Sequence, residues 1–124
     1  MTIKEVSERF DISQDTLRYY EKAGIIPAVG RTSGGIRNYT DEYLKWVAQA
    51  KCMRDSGVSV EALAEYVRLF QAGDGTFEAR LNLLNAQREQ LLEQKKRLEE
   101  TTRRLDYKIS RYQRALETGI LTWE

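Results

Sequence analysis

From Phe77 to about residue 117 the chain keeps helical composition and repeats an apolar residue at alternating spacings of four and three. Phe77, Leu81, Leu84, Leu91, Leu98, Leu105, Ile109, Tyr112 and Leu116 fall on this seam, with Arg88, Lys95 and Thr102 at its remaining positions. That is a coiled-coil heptad. A helix of about forty residues, roughly 60 Å at 1.5 Å per residue, has no element of its own chain able to cover it. The seam therefore predicts a partner helix, with Leu81, Leu84, Leu91, Leu98, Leu105, Ile109 and Tyr112 as dimerisation residues. It is apolar at both ends and polar in the middle, so an antiparallel pairing of two copies places like layers symmetrically about a two-fold. A homodimer of that kind is expected, against a parallel dimer or intramolecular packing.

The seventy residues before the seam read as short helices. Thr2 and Glu5 form a capping box, and Ile3, Val6 and Phe10 follow at helical spacing, giving a first helix at about 3 to 10. After the turn Asp11-Ile12-Ser13, Ser13 caps a second helix over 14–23, closed by Gly24. Two short helices across a three-residue turn suggest a helix-turn-helix. Residues 25–39, punctuated by Pro27, Gly30, Gly34 and Gly35, fit a small β-hairpin wing. Thr40 opens a third helix with Leu44, Val47, Ala48 and Cys52 expected along one apolar face. Ser59 opens a fourth with Leu63, Val67 and Phe70.

The expected fold is mainly α. A winged helix-turn-helix DNA-binding domain spans 1–72, with its second helix pair at 41–72, and a hinge occupies 73–76. The coiled-coil helix covers 77–117 and a tail 118–124. At 124 residues, a larger effector domain is not expected.

Several function classes are disfavoured. With no histidine, one cysteine and no phosphate-cradling motif, the usual catalytic sets cannot be assembled, so an enzyme is not expected. The same count predicts no metal site and no cofactor. No apolar tract resembles a membrane span or signal-peptide core, which points to a cytoplasmic protein without membrane partners. A net charge of +1 gives no global argument for nucleic acid. Locally, however, Arg18, Lys22, Arg31 and Arg37 face only Glu21 between residues 17 and 39, a surplus of 4 − 1 = 3.

In the second helix Leu17 is the expected core anchor, which leaves Ser13, Thr16, Arg18, Tyr19 and Lys22 to approach double-stranded DNA. Arginine can bond two guanine acceptors or clamp phosphate, and tyrosine offers a hydroxyl and a flat face. Arg31, Gly35, Arg37 and Tyr39 are the wing candidates. A coiled-coil adaptor that uses these helices for protein contact is the rival class. Salt-dependent binding to duplex DNA separates the two.

The segments Thr16-Leu17-Arg18-Tyr19-Tyr20-Glu21, Gly24-Ile25-Ile26-Pro27, Arg31, Gly35-Ile36-Arg37-Asn38-Tyr39 and Arg54-Asp55-Ser56-Gly57-Val58-Ser59 resemble, in order and spacing, the MerR family of transcription regulators. The resemblance covers about the first 70 residues. It implies a homodimer on a pseudo-palindromic promoter spacer, bending and untwisting it and so acting on RNA polymerase indirectly. It also implies contacts from Arg18, Tyr19, Arg37 and Tyr39, with Lys51 and Arg54 in a second wing. Ile36 stands where many members have tyrosine.

The run Lys51-Cys52-Met53-Arg54 resembles a branch of that family in which one cysteine reacts with electrophiles such as aldehydes or with nitrosative stress. On that resemblance Cys52 is the sensor. The bland alternative is a small core residue on the Leu44–Ala48 stripe, with a non-covalent ligand or a partner protein as the signal.

Overall fold

A computed structural model describes residues 1–124. It contains five α-helices: α1 (Ile3–Phe10), α2 (Gln14–Ala23), α3 (Asp41–Asp55), α4 (Val60–Gln71) and α5 (Phe77–Thr118), with a 3-10 turn at Asp74–Thr76. None is long and apolar enough to cross a membrane. The chain divides into two compact units, Met1–Gln87 and Arg88–Glu124.

Local capping sets the boundaries in the first unit. The Thr2 hydroxyl accepts from the Glu5 amide while the Glu5 carboxylate accepts from the Thr2 amide, closing the expected box. Ser13 accepts from Thr16 N and Ser59 from Ala62 N, so two more helix starts satisfy an otherwise orphaned donor. Gly24 ends α2 at φ 78°, a left-handed conformation that costs glycine little. The core of this unit, the head, then fills from α1 to α4 and the segment between α2 and α3: Val6, Leu17, Ile26, Tyr39 and Val47 are essentially inaccessible, and Val67 of α4 nearly so. Each such aliphatic side chain contributes about 1.5 to 3 kcal/mol through burial.

The wing departs from expectation. Residues 25–39 form no β-strand; the ladder is a single antiparallel bridge between Arg31 and Arg37. Thr32 N donates to Ile36 O (2.8 Å), Gly35 N to Thr32 O (2.9 Å) and Asn38 N to Gly30 O (2.8 Å). The tip is a tight turn with Gly35 at φ 80°. Its arms, Gly30–Thr32 and Ile36–Asn38, are only three residues each, too short to extend a ladder.

The 73–76 segment is a tied corner. The Thr76 hydroxyl lies 2.6 Å from Leu69 O and 2.8 Å from Gly73 O, and Arg80 donates to Thr76 Oγ1 (2.9 Å) and Gly73 O (2.7 Å). The Arg80 guanidinium sits over the rings of Phe70 and Phe77, 5.2 and 5.0 Å from their centroids.

In the second unit, the expected seam residues Leu98, Leu105, Ile109, Tyr112 and Leu116 are exposed, Leu98 to 69% and Leu116 to 88%. The tail does not run on past the helix. Gly119, at φ 77°, reverses it, and Trp123 and Glu124 return to accept from Tyr107 and Arg111. The Trp123 ring lies 6.3 Å from that of Tyr107 and meets Tyr112 edge-on at 5.8 Å.

Candidate nucleic-acid interface

The second helix presents one polar face. Leu17 and Tyr20 are buried, which turns Asp15, Arg18, Tyr19 and Lys22 outward at i, i+3, i+4 and i+7. Tyr19 is half exposed. Arg18 pairs with Asp15 at 2.9 Å and reaches Gln14 Oε1 at 3.4 Å. An exposed pair of this kind is worth at most about 1 kcal/mol, so the guanidinium is readily redirected to an anion. Ser13 and Thr16 sit at the amino end of the same helix, their hydroxyls 2.7 Å apart and engaged in the cap.

The wing is fixed to this helix by one carboxylate, to which the sequence pattern assigned no role of its own. Glu21 Oε1 accepts from Arg37 Nε at 2.8 Å and Oε2 accepts from Val29 N at 2.7 Å. Burial pushes the Glu21 carboxyl up, but the bonds from Arg37 and the Val29 amide, with the charges of Arg37 and Arg31, outweigh it and hold the group below the ordinary glutamate range. Tyr43 adds a bond from its hydroxyl to Ala28 O (2.7 Å), and Tyr39 N donates to Met1 O (2.8 Å). Arg31 and Gly35 are exposed at the wing tip, where Arg31 Nη1 bonds Gly35 O at 3.1 Å. No heavy atom outside the adjoining residues lies within 4 Å of where a Gly35 Cβ would stand, so backbone conformation, not crowding, calls for glycine there.

One candidate is placed against expectation, and two carry bonds within the chain. Tyr39 is 1% exposed, a core residue whose ring cannot lie against a duplex in this conformation. Burial, and then the nearby Glu21 charge, raise its phenol above the usual value. Lys51 donates to the Phe10 carbonyl, and Arg54 Nη1 donates to Val58 O at 2.6 Å. Both cations therefore close helix ends and loops within the head. Each gives one N–H to a backbone oxygen and keeps its other donors for an anion.

Cys52 is exposed and does not continue the apolar stripe. The buried positions of α3 are Leu44, Val47 and Ala50, a run of threes. At 100° per residue that run drifts away from the Leu44–Ala48–Cys52 run of fours, leaving Cys52 about 140° round the helix from the centre of the buried side. The core-residue reading fails on this placement. So does any mechanism in which an adduct overfills the interior.

The MerR HTH family regulatory protein family matches residues 1–69. Among curated proteins, the HTH-type transcriptional regulator AdhR of Bacillus subtilis is 50% identical over 93 residues, 75% of this chain and 66% of that one. A MerR family transcriptional regulator from Listeria monocytogenes has the same architecture, with a TM-score of 0.92 at 41% identity over 96% of this chain and 90% of that one. HiNmlR, a MerR family regulator lacking the sensor domain and solved bound to promoter DNA, gives a TM-score of 0.84 at 34% identity, covering 95% and 94% of the two chains.

Proposed function

Because this chain belongs to the MerR family of helix-turn-helix regulatory proteins, we propose that it acts as a homodimer on a promoter spacer, each copy reading one half-site with α2 and steadying it with the wing. Its class is that of a DNA-binding transcription regulator and not an enzyme. The observation that carries the finer reading is the outward face of Arg18, Tyr19 and Lys22, beside a wing whose position is set by Glu21 and Arg37. Arg18 supplies bidentate base or phosphate contact, Tyr19 and Lys22 supply phosphate contact, and Arg31 with the open Gly35 backbone follows the adjacent strand. The exposed α5 seam supports antiparallel pairing of two copies, which holds two half-sites at a fixed spacing. Distortion of the spacer then acts on RNA polymerase without direct contact.

For the signal, the reading is thiol chemistry at Cys52 with an electrophile such as an aldehyde. Its support is the Lys51-Cys52-Met53-Arg54 resemblance together with an accessible sulfur. An adduct there acts at the outer surface of α3, through whatever that surface meets in the dimer or on DNA.

The test is a filter-binding titration at fixed salt, using duplexes selected from genomic fragments. Arg18→Ala or Tyr19→Ala is expected to weaken binding of the selected duplex by about 1 to 3 kcal/mol, five- to 150-fold, with the dimer intact. Unchanged affinity in both variants removes α2 from the interface.

A further inference from the structure

The reversed tail builds a cleft of about 480 Å³ against the end of α5, lined by Glu100, Arg103, Arg104, Tyr107, Lys108 and Trp123. All six belong to the second unit. At 100° per residue the helical members centre roughly 150° away from the line of Leu98, Leu105, Ile109, Tyr112 and Leu116. The cleft is therefore centred on the side away from the seam and reaches the seam edge only through Lys108 and Trp123. Its volume falls in the range of about 300 to 1,000 Å³ typical of small-molecule sites.

The lining has two chemistries. Tyr107 and Trp123 are each about half exposed, with ring planes inclined at 38°, so they present an aromatic corner. A planar ring can stack on one face of that corner and meet the edge of the other. Around it stand three cations and one carboxylate, a surplus of 3 − 1 = 2. From Glu100 to Arg114 the chain carries five cations against two acids, a surplus of 5 − 2 = 3. None of Arg103, Arg104 and Lys108 is paired with a carboxylate of the chain; the ion pairs are Arg18–Asp15, Arg37–Glu21 and Arg68–Glu65.

We propose that this tail-capped cleft is a binding site for a small planar aromatic anion, such as an aromatic carboxylate. Tyr107 and Trp123 hold the ring, while Arg103, Arg104 and Lys108 neutralise the acid group, with arginine able to bond a carboxylate by two parallel N–H groups. Trp123 also joins the cleft to the seam, because its ring rests edge-on against Tyr112. An occupant that moves Trp123 bears directly on a residue of the pairing face. The inference stands independently of DNA binding.

The test uses the full chain, isotopically labelled and carrying Trp46→Phe, so that the one remaining indole N–H signal reports Trp123. Titration with 2-naphthoate is expected to shift that signal saturably. The uncharged 2-naphthalenemethanol, with the same ring, should bind at least tenfold more weakly, and Arg103→Gln with Arg104→Gln should weaken naphthoate at least tenfold without altering helix content. Equal binding of acid and alcohol reduces the cleft to an apolar patch and overturns the proposal. An unmoved Trp123 signal, or full affinity in the double variant, overturns it as well. If the double variant loses helix content, Lys108→Gln is read in its place, with at least threefold weakening expected and no weakening counting against the site.

Discussion

Replacing Glu21 should loosen the wing by an amount that the geometry allows to be bounded. Glu21→Ala removes both acceptors at once. The Val29 amide, in a residue only 6% exposed, is left without a partner, and an unsatisfied buried donor costs about 1 to 3 kcal/mol. The Arg37 contact is charge-assisted, at 2.8 Å between side chains 24% and 15% exposed, and a bond of that kind contributes about 1.5 to 3 kcal/mol. The two share a carboxylate and do not add, so the expected loss is about 2 to 4 kcal/mol. Glu21→Gln keeps the shape and one carbonyl acceptor, and should lose about 1 to 2 kcal/mol. The pH dependence follows from the folded carboxyl being held below its ordinary value. Such a group stabilises the fold above the ordinary glutamate range, and that contribution fades as pH falls through the lower folded value. Urea unfolding at one protein concentration, at pH 7 and in steps down to pH 3, should therefore show the wild-type advantage over Glu21→Gln shrinking below about pH 4.3. A Glu21→Ala chain within 0.5 kcal/mol of wild type at pH 7, or a Gln gap that ignores pH, refutes the clamp.

Two further outcomes follow from exposed positions. Leu98→Asp should abolish the dimer in sedimentation and weaken operator binding with it, since it sets a charge in a seam layer that is 69% exposed in the single chain; an intact dimer removes the heptad register. Cys52→Ser should leave DNA binding and folding unchanged, because the side chain is exposed, while induction by an aldehyde in a promoter assay at equal protein level disappears; full induction of the serine variant moves the signal elsewhere.

What the sequence made legible were features whose cause is local. Thr2 with Glu5, Ser13 and Gly24 fixed the ends of α1 and α2 because a cap needs only its own few residues. The length of α5 was legible for the same reason, through unbroken periodicity. What stayed hidden depended on neighbours. In α3 the apolar residues satisfy both a three- and a four-residue spacing, and only tertiary packing decides that Ala50, and not Cys52, turns inward. Tyr39 looked like a wing residue because it closes the glycine-punctuated segment 25–39, yet its ring is buried in the core. Lys51 and Arg54 entered only through the family resemblance, and their bonds to a backbone carbonyl forty residues away, or just past a helix end, leave no mark in the sequence. The tail's reversal did leave one, in Gly119, but its aromatic partner Tyr107 is twelve residues upstream.

The first turns of α5 carry two lines of side chains on adjacent faces, and this bears on how the proposed dimer would act on DNA. Thr76, Arg80, Leu83 and Gln87 form one line: Thr76 and Arg80 tie the corner after α4, and Leu83 and Gln87 close a small apolar void of about 30 Å³ against Met53, Leu63 and Tyr66 of α3 and α4. Phe77, Leu81 and Leu84 form the neighbouring line, mostly exposed, which opens the proposed pairing seam, and Leu84 also borders the void, so the two lines meet there. Both lines run along one helix within the same compact unit as α2 and the wing. A partner that rotates or slides the seam in these turns must therefore either carry α3 and α4 with it or break the Arg80 bonds and the Leu83 packing. Interiors of this density shift between discrete arrangements and do not deform smoothly. In the proposed dimer, the economical path from a change at the pairing face to a change in half-site geometry is therefore rigid movement of the whole Met1–Gln87 unit, the head. On that path the wing keeps its Glu21 clamp while the spacing between two heads changes.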